Sequence, residues 1–284
     1  MQFAFSTLAC PSWDWQQVIR AANDYGYDGI EWRLINGDVV TREFSLDTAQ
    51  TIAQAVADAG LGVCALDSSV RLVMPRGPER DAQIKEARGM LRVARALGAD
   101  ILRVFPGKYA EDVSDEDAIQ WVVEGLESLI PTARQLGVKV VLETHDKFDW
   151  PRMATRGTTI SSFLRQVLLQ VQAPEVGLQW DIGNPYVEGE SPETTFENVK
   201  GNLTYVHLKD MRQTSDGTWE YVAMGEGDLP IRDAIDWLAD SGFTGWLSFE
   251  WEKAWHPELA EPEVALPQFI TYMRSVQNAG TSAD

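Results

Sequence analysis

The chain is 284 residues long with a formal net charge of −19, and 44% of its residues are hydrophobic against 24% charged. That balance fills a sizeable core and suits a single large α/β domain. It excludes nucleic acid as a default partner, because so acidic a surface repels a polyanion, while the same carboxylates offer oxygen ligands to a divalent cation.

The N-terminal MQFAFSTLACPSW has neither a basic start nor a long apolar stretch, so it reads as a strand and not as a signal peptide. No apolar run reaches the roughly 20 residues that span a bilayer, so a cytoplasmic protein without membrane association is expected. Strand one is QFAFS, and a helix follows over 13–25. NDYGYDGIEWR (23–33) then introduces a design that recurs: a helix-patterned stretch stops at a glycine, and a short apolar run follows. Glycine supplies the left-handed turn at a helix end at low steric cost. GIEW is strand two, with Arg33 just past it.

The next helix covers 46–59 and leads through ADAGLGVCALD (57–67) into strand three. Cys10 and Cys64 lie on separate strand-like segments without metal-type spacing, and they read as buried thiols in a reducing compartment. In DAQIKEARGMLRVARALG (81–98), Ile84, Ala87, Leu91, Ala94 and Leu97 share one helical face. Strand four, ILRVF, carries Arg103, and a helix over 115–136 leads to strand five, VKVVLETH, which ends in Glu143 and His145. Behind it the loop DKFDWPRMATRGTT (146–159) offers Trp150, Arg152 and Arg156 as side chains that could close over a ligand.

A helix over 160–170 precedes strand six, VGLQWDIGN, with Asp181 and Asn184. A helix over 192–201 precedes strand seven, LTYVHLKD, with His207, Lys209 and Asp210. A helix over 230–241 and the segment ADSGFTGWLSFEW (239–251) give strand eight, with Glu250 and Glu252. WEKAWHPELAEPEVALP (251–267) reads as an ordered arm with His256 in a structural role, then a helix over 263–277 closes the fold. Eight strands alternating with helices predict a parallel sheet closed into a (β/α)8 TIM barrel, an open doubly wound sheet being the wider competitor. The barrel is expected to occupy 1–277 as one domain, with 278–284 a flexible tail.

In such a barrel the chemistry lies at the C-terminal ends of the strands. Four successive strands end in Glu143, Asp181, His207 and Glu250. Several buried ionisable groups in one barrel mouth need compensation, and a divalent metal provides it. Three carboxylates and one imidazole suit Mn²⁺, Mg²⁺ or Co²⁺ better than a sulfur-loving ion, with Zn²⁺ a further possibility. Side-chain alternation puts His145 on the face of Glu143 and Lys209 on the face of His207. His145 is either a substrate hydrogen-bond donor or structural, and Lys209 either pairs with a neighbouring acid or meets substrate. Arg33 and Arg103 are either clamps for a hydroxyl or carboxylate or salt-bridge partners. No glycine-rich phosphate cradle is present, which points to an unphosphorylated keto compound.

With GIEWR, LETH, WDIGN, VHLKD and GEGDLPIRDAIDWLADSGFTGWLSFEWEK in place, the chain resembles the sugar phosphate isomerase/epimerase superfamily over nearly its whole length. These xylose isomerase-like barrels include ketose 3-epimerases, hydroxypyruvate isomerases, inosose isomerases and dehydratases, and endonuclease IV. By motif, the resemblance implies that Glu143, Asp181, His207 and Glu250 hold one divalent metal, Mn²⁺ foremost. It also implies a homo-oligomer, dimeric or tetrameric, acting on a small carbohydrate. Where many members have Asp-x-x-His, this chain has Asp181-Ile-Gly-Asn184; with three histidines it cannot build the nuclease's zinc cluster. The expected activity is a metal-dependent isomerase or epimerase on a keto sugar or related polyol-derived hydroxy-ketone. Glu143 and Glu250 would move the proton through an enediolate. An inosose-type dehydratase (a lyase) is the alternative; a non-catalytic barrel subunit and a nuclease stand further off. His145, Asn184, Lys209, Arg103, Arg33, Trp150 and Arg156 complete the candidate substrate contacts.

Overall fold

The computed structural model describes residues 1–145 and 158–280, with side chains to 277. Eight parallel strands close into a barrel: β1 (Gln2–Ser6), β2 (Gly29–Trp32), β3 (Gly62–Arg71), β4 (Ile101–Phe105), β5 (Lys139–Glu143), β6 (Val176–Asp181), β7 (Leu203–Leu208) and β8 (Trp246–Phe249). Each strand neighbours its sequence successor, and β8 returns to pair with β1, with Gln2 opposite Trp246 and Phe5 opposite Phe249. Closure leaves no strand edge exposed, which is why such short apolar runs suffice.

The helices outside the barrel begin where sequence chemistry caps them. Asp14 and Gln17 form a reciprocal box at the start of α1 (Trp15–Tyr25), so it begins at Trp15 and not at residue 13. Ser45 caps α2 (Leu46–Asp58), and Pro78 opens α3 (Pro78–Ala96). Ser114 caps α4 (Asp115–Leu136), and Thr159 caps α5 (Ile160–Val171). A short α6 (Gly183–Val187) precedes α7 (Pro192–Val199), then α8 (Ile231–Asp240) and α9 (Pro262–Gly280) follow. The last helix runs past the 277 boundary expected from sequence to Gly280, and 281–284 lie outside the described residues. Among the described residues no helix is long and apolar enough to cross a membrane.

Two short antiparallel ribbons escaped the sequence reading. One pairs Leu34–Ile35 with Asp38–Val39, and the other pairs Asp210–Gln213 with Trp219–Val222 behind β7. Cys64 sits on β3 as expected, but Cys10 follows a 3-10 turn (Thr7–Ala9) instead of lying on a strand; both thiols are free and buried. Burial pushes both thiols far above the usual range, so they are inert packing groups.

The main core lies between strands and helices, while the barrel interior is a separate stack. At its floor the Trp246 indole fills space that other side chains would need. A Cβ on Gly29 would fall 2.6 Å from Trp246 Cη2, and one on Gly62 would fall 2.9 Å from it. Above it Ala4, Ile101, Val141 and Tyr205 form an apolar layer. Strand alternation then lifts Glu31, Asp67, Arg103, Glu143, Asp181, His207, Ser248 and Glu250 into the layers above, all of them buried.

Candidate metal centre

Asp181 ends β6 directly beside His207 on β7, and Ser248 on β8 flanks His207 from the other side. This register carries Glu250, just past β8, to the same mouth, where Glu143 ends β5. One donor atom from each of Glu143, Asp181, His207 and Glu250 falls within 4.8 Å of all the others. From His207 Nδ1 the distances are 3.2 Å to Glu250 Oε1, 3.8 Å to Asp181 Oδ2 and 4.0 Å to Glu143 Oε1. All four side chains are buried.

Around this set lies a ring of fixed charges. Lys209 reaches Glu250 Oε2 at 2.7 Å, Asp181 Oδ2 at 2.9 Å and Glu252 Oε1 at 3.2 Å. The Tyr221 hydroxyl, on the ribbon behind β7, donates to Glu252 at 2.5 Å and braces that arm. On the opposite side Arg103 contacts Glu143 Oε2 at 3.2 Å and Asp67 Oδ2 at 3.0 Å. Below, Glu31 Oε1 meets His207 Nε2 at 2.7 Å, and its other oxygen accepts from the Ser248 hydroxyl. With Nε2 turned to Glu31, Nδ1 is the ring nitrogen that faces the three carboxylates.

Burial raises the carboxyl pKa values of Glu143 and Asp181. Glu250 is also penalised by burial, but Lys209 and His207 outweigh that and hold it well below the usual range. Burial alone would lower the His207 pKa, yet Glu31 and Glu250 carry it well above normal. Burial and the neighbouring Asp67 push Glu31 up to about 7 against the pull of His207.

The donor set fits a divalent cation. His207 Nδ1 is deeply buried and makes no hydrogen bond, while three carboxylates face it within 4.0 Å, an arrangement that a close cation relieves. Oxygen-rich ligation with one imidazole and no thiolate is the chemistry of Mn²⁺, Mg²⁺ or Co²⁺, with Zn²⁺ also compatible.

Of the other residues nominated by sequence, Asn184 joins the site. Its side-chain amide lies 3.5 Å from Glu143 Oε1, and its backbone N–H donates to Asp181 Oδ1 at 2.7 Å. The His145 ring lies 4.5 Å from that of Phe105, tilted by 49°. Lys209 and Arg103 both lie at ion-pair distance from acids. Arg33 is buried on the mouth side of β2, held by the Asp67 carbonyl and the Ser69 hydroxyl. Trp150, Arg152 and Arg156 lie outside the described residues. His256 stays in the arm, beside Glu258 and the Tyr221 ring, away from the donor set. Glu31 and Asp67, absent from the sequence nominations, interrupt the buried runs GIEW and VCALD, and that interruption was their signal.

Comparison with known proteins agrees with this fold. The family described as the xylose isomerase-like TIM barrel matches residues 19–275. The L-ribulose-5-phosphate 3-epimerase of Salmonella paratyphi A is 25% identical over 238 residues, covering 81% of this chain and 80% of the relative. An inosose dehydratase of Lacticaseibacillus casei is 23% identical over 182 residues, covering 59% of this chain and 58% of that protein. Among solved structures, the IolI protein with a bound zinc atom superposes with a TM-score of 0.78 at 20% identity, covering 98% of this chain and 99% of that one. An L-ribulose 3-epimerase superposes at 0.75 and 16% identity, covering 100% and 98%.

Proposed function

We propose, because the chain belongs to the xylose isomerase-like TIM barrel family, that it is a divalent-metal-dependent epimerase or isomerase acting on a keto sugar or a related polyol-derived hydroxy-ketone. The observation that carries this reading is the buried convergence of Glu143, Asp181, His207 and Glu250 around one point. The relative that acts as a ribulose-5-phosphate epimerase, matched over most of its length, supports the sugar class.

Glu143, Asp181, His207 and Glu250 would hold the ion through carboxylate oxygens and His207 Nδ1. When bound, the cation supplies positive charge that favours the enediolate oxygens over the ketone. The rest is the work of side chains. One of Glu143 and Glu250 removes the proton from the carbon beside the ketone; the C–H electron pair becomes the carbon–carbon double bond of the enediolate, and the carbonyl π pair moves onto oxygen. The other returns a proton to that carbon from the opposite face, which inverts it. Return to the neighbouring carbon gives aldose–ketose isomerisation instead. Lys209 against Glu250 and Arg103 against Glu143 keep the two carboxylates apart and oriented. Asn184, beside Glu143, is suited to a sugar hydroxyl.

The inosose dehydratase relative favours a second reading, in which the enediolate expels a β-hydroxyl in place of reprotonation. Both readings share the first proton transfer. The test is an NMR screen in D₂O of the Mn²⁺-loaded protein across keto sugars and inososes. Metal-dependent deuterium incorporation beside the carbonyl is expected, and exchange that persists in exhaustively chelated protein would refute the proposal.

A further inference from the structure

Resting on the proton-transfer reading, we infer that the substrate carries an anionic group, a carboxylate or a phosphate ester, and that Arg33 receives it. Arg33, Arg80, Arg103, Lys209 and Lys253 are the arginine and lysine side chains buried among the described residues. Four of them have acids at ion-pair distance: Arg80 with Glu124, Arg103 with Asp67 and Glu143, Lys209 with Asp181, Glu250 and Glu252, and Lys253 with Glu261. Arg33 is the exception. Among the described residues its guanidinium hydrogen-bonds only to the Asp67 carbonyl at 3.4 Å and the Ser69 hydroxyl at 2.8 Å, with no acid at ion-pair distance.

The nearest acid is already spent. Asp67 gives Oδ2 to Arg103 at 3.0 Å and Oδ1 to the Tyr205 hydroxyl at 3.2 Å. A buried cation with no acid at ion-pair distance is costly, and an anionic ligand bound beside it offsets that cost. The position fits that use. Arg33 follows β2 at the mouth end of the barrel, where burial and the neighbouring Arg103 pull its pKa down to about 10 against the more distant pull of Asp67, Glu143 and Glu250. The contacts of Nη1 and Nη2 use two of the five guanidinium N–H donors, so donors remain for an oxyanion. A glycine-rich cradle is therefore unnecessary for an anionic substrate, and the expectation of an unphosphorylated compound, drawn from the lack of that cradle, does not follow.

The test uses the Mn²⁺-loaded full-length protein. Inorganic phosphate is titrated calorimetrically into wild type and into the Arg33→Met variant, with the Arg33→Lys variant as the charge-conserving control. Binding should weaken by about tenfold or more in Arg33→Met and recover in part in Arg33→Lys. The D₂O exchange rates of L-ribulose 5-phosphate, 5-keto-D-gluconate and neutral L-ribulose are then compared. The Arg33→Met variant should raise KM for the phosphate ester or the carboxylate, whichever is the true class, by a larger factor than for neutral L-ribulose. Equal phosphate affinity in wild type and Arg33→Met would overturn the inference, as would an equal loss for charged and neutral ketoses. Arg33-dependent phosphate binding without exchange of any ketose would uphold the anion site while the proton-transfer reading fails.

Discussion

Glu31 on β2 reaches across the barrel interior to place its Oε1 2.7 Å from His207 Nε2 on β7, with both side chains fully buried. The contact fixes the imidazole ring from below and makes Nδ1 the donor that faces the carboxylates. Replacing Glu31 by Ala should weaken Mn²⁺ affinity about 10–100-fold, the usual cost of losing a partner that orients a metal-bound imidazole. Glu31→Gln, which can still accept from Nε2–H, should fall between wild type and Ala. Calorimetry or electron paramagnetic resonance of free Mn²⁺ measures this directly, and unchanged affinity in Glu31→Ala would show that His207 is oriented without it.

Glu143→Gln and Glu250→Gln should each reduce deuterium exchange by about 10²–10⁴-fold, the range for loss of a positioned acid or base. Asn184→Ala touches only the edge of Glu143 and should act mainly on KM. Exchange that survives both glutamine variants would mean that the proton is carried by another group.

Glu124 accepts from Arg76 at 2.9 Å and from the buried Arg80 at 2.7 Å, tying α4 to the start of α3. These bonds hold its carboxyl down to about 2. A depressed folded pKa means that the ionised form is favoured by folding, so the stabilisation is full above the unfolded value near 4.5 and fades as pH falls towards 2. Glu124→Gln should therefore lower Tm at neutral pH, and the gap to wild type should close in acid. Thermal scans from pH 7 to about pH 2.5 test the sign; a constant gap would mean that packing, not charge, is lost.

Gly29→Ala would bring a methyl group against both Trp246 Cη2 at 2.6 Å and the Gly62 carbonyl oxygen at 2.7 Å. One of these is backbone and cannot swing aside. The expected loss is about 1–3 kcal/mol, typical of overpacking, readable by urea denaturation. Coupling to Trp246→Leu in a double-mutant cycle should recover part of it, and no recovery would place the strain in the backbone alone.

The convergence of Glu143, Asp181, His207 and Glu250 was legible in the sequence because each breaks an apolar run at a strand's end, where period-two alternation fixes its face. The strand order was equally legible, since glycine-terminated helices mark each return to the sheet. Glu31 was harder. It shares a face with Arg33, but which strand it meets depends on the stagger around the closed barrel, a long-range property that local spacing does not encode. The same holds for Arg103, whose attachment to Asp67 needs the register of β3 against β4. The Asp210–Gln213 ribbon that carries Tyr221 to Glu252 was missed because its strands are short and polar.

The indole beneath the barrel makes the interior a blind well. Whatever enters past Arg33 must leave by the doorway it came through, so arrival and departure are mutually exclusive at each turnover. A compound wedged in that doorway would compete with reactant and product alike, and the reverse reaction would suffer from it as much as the forward one.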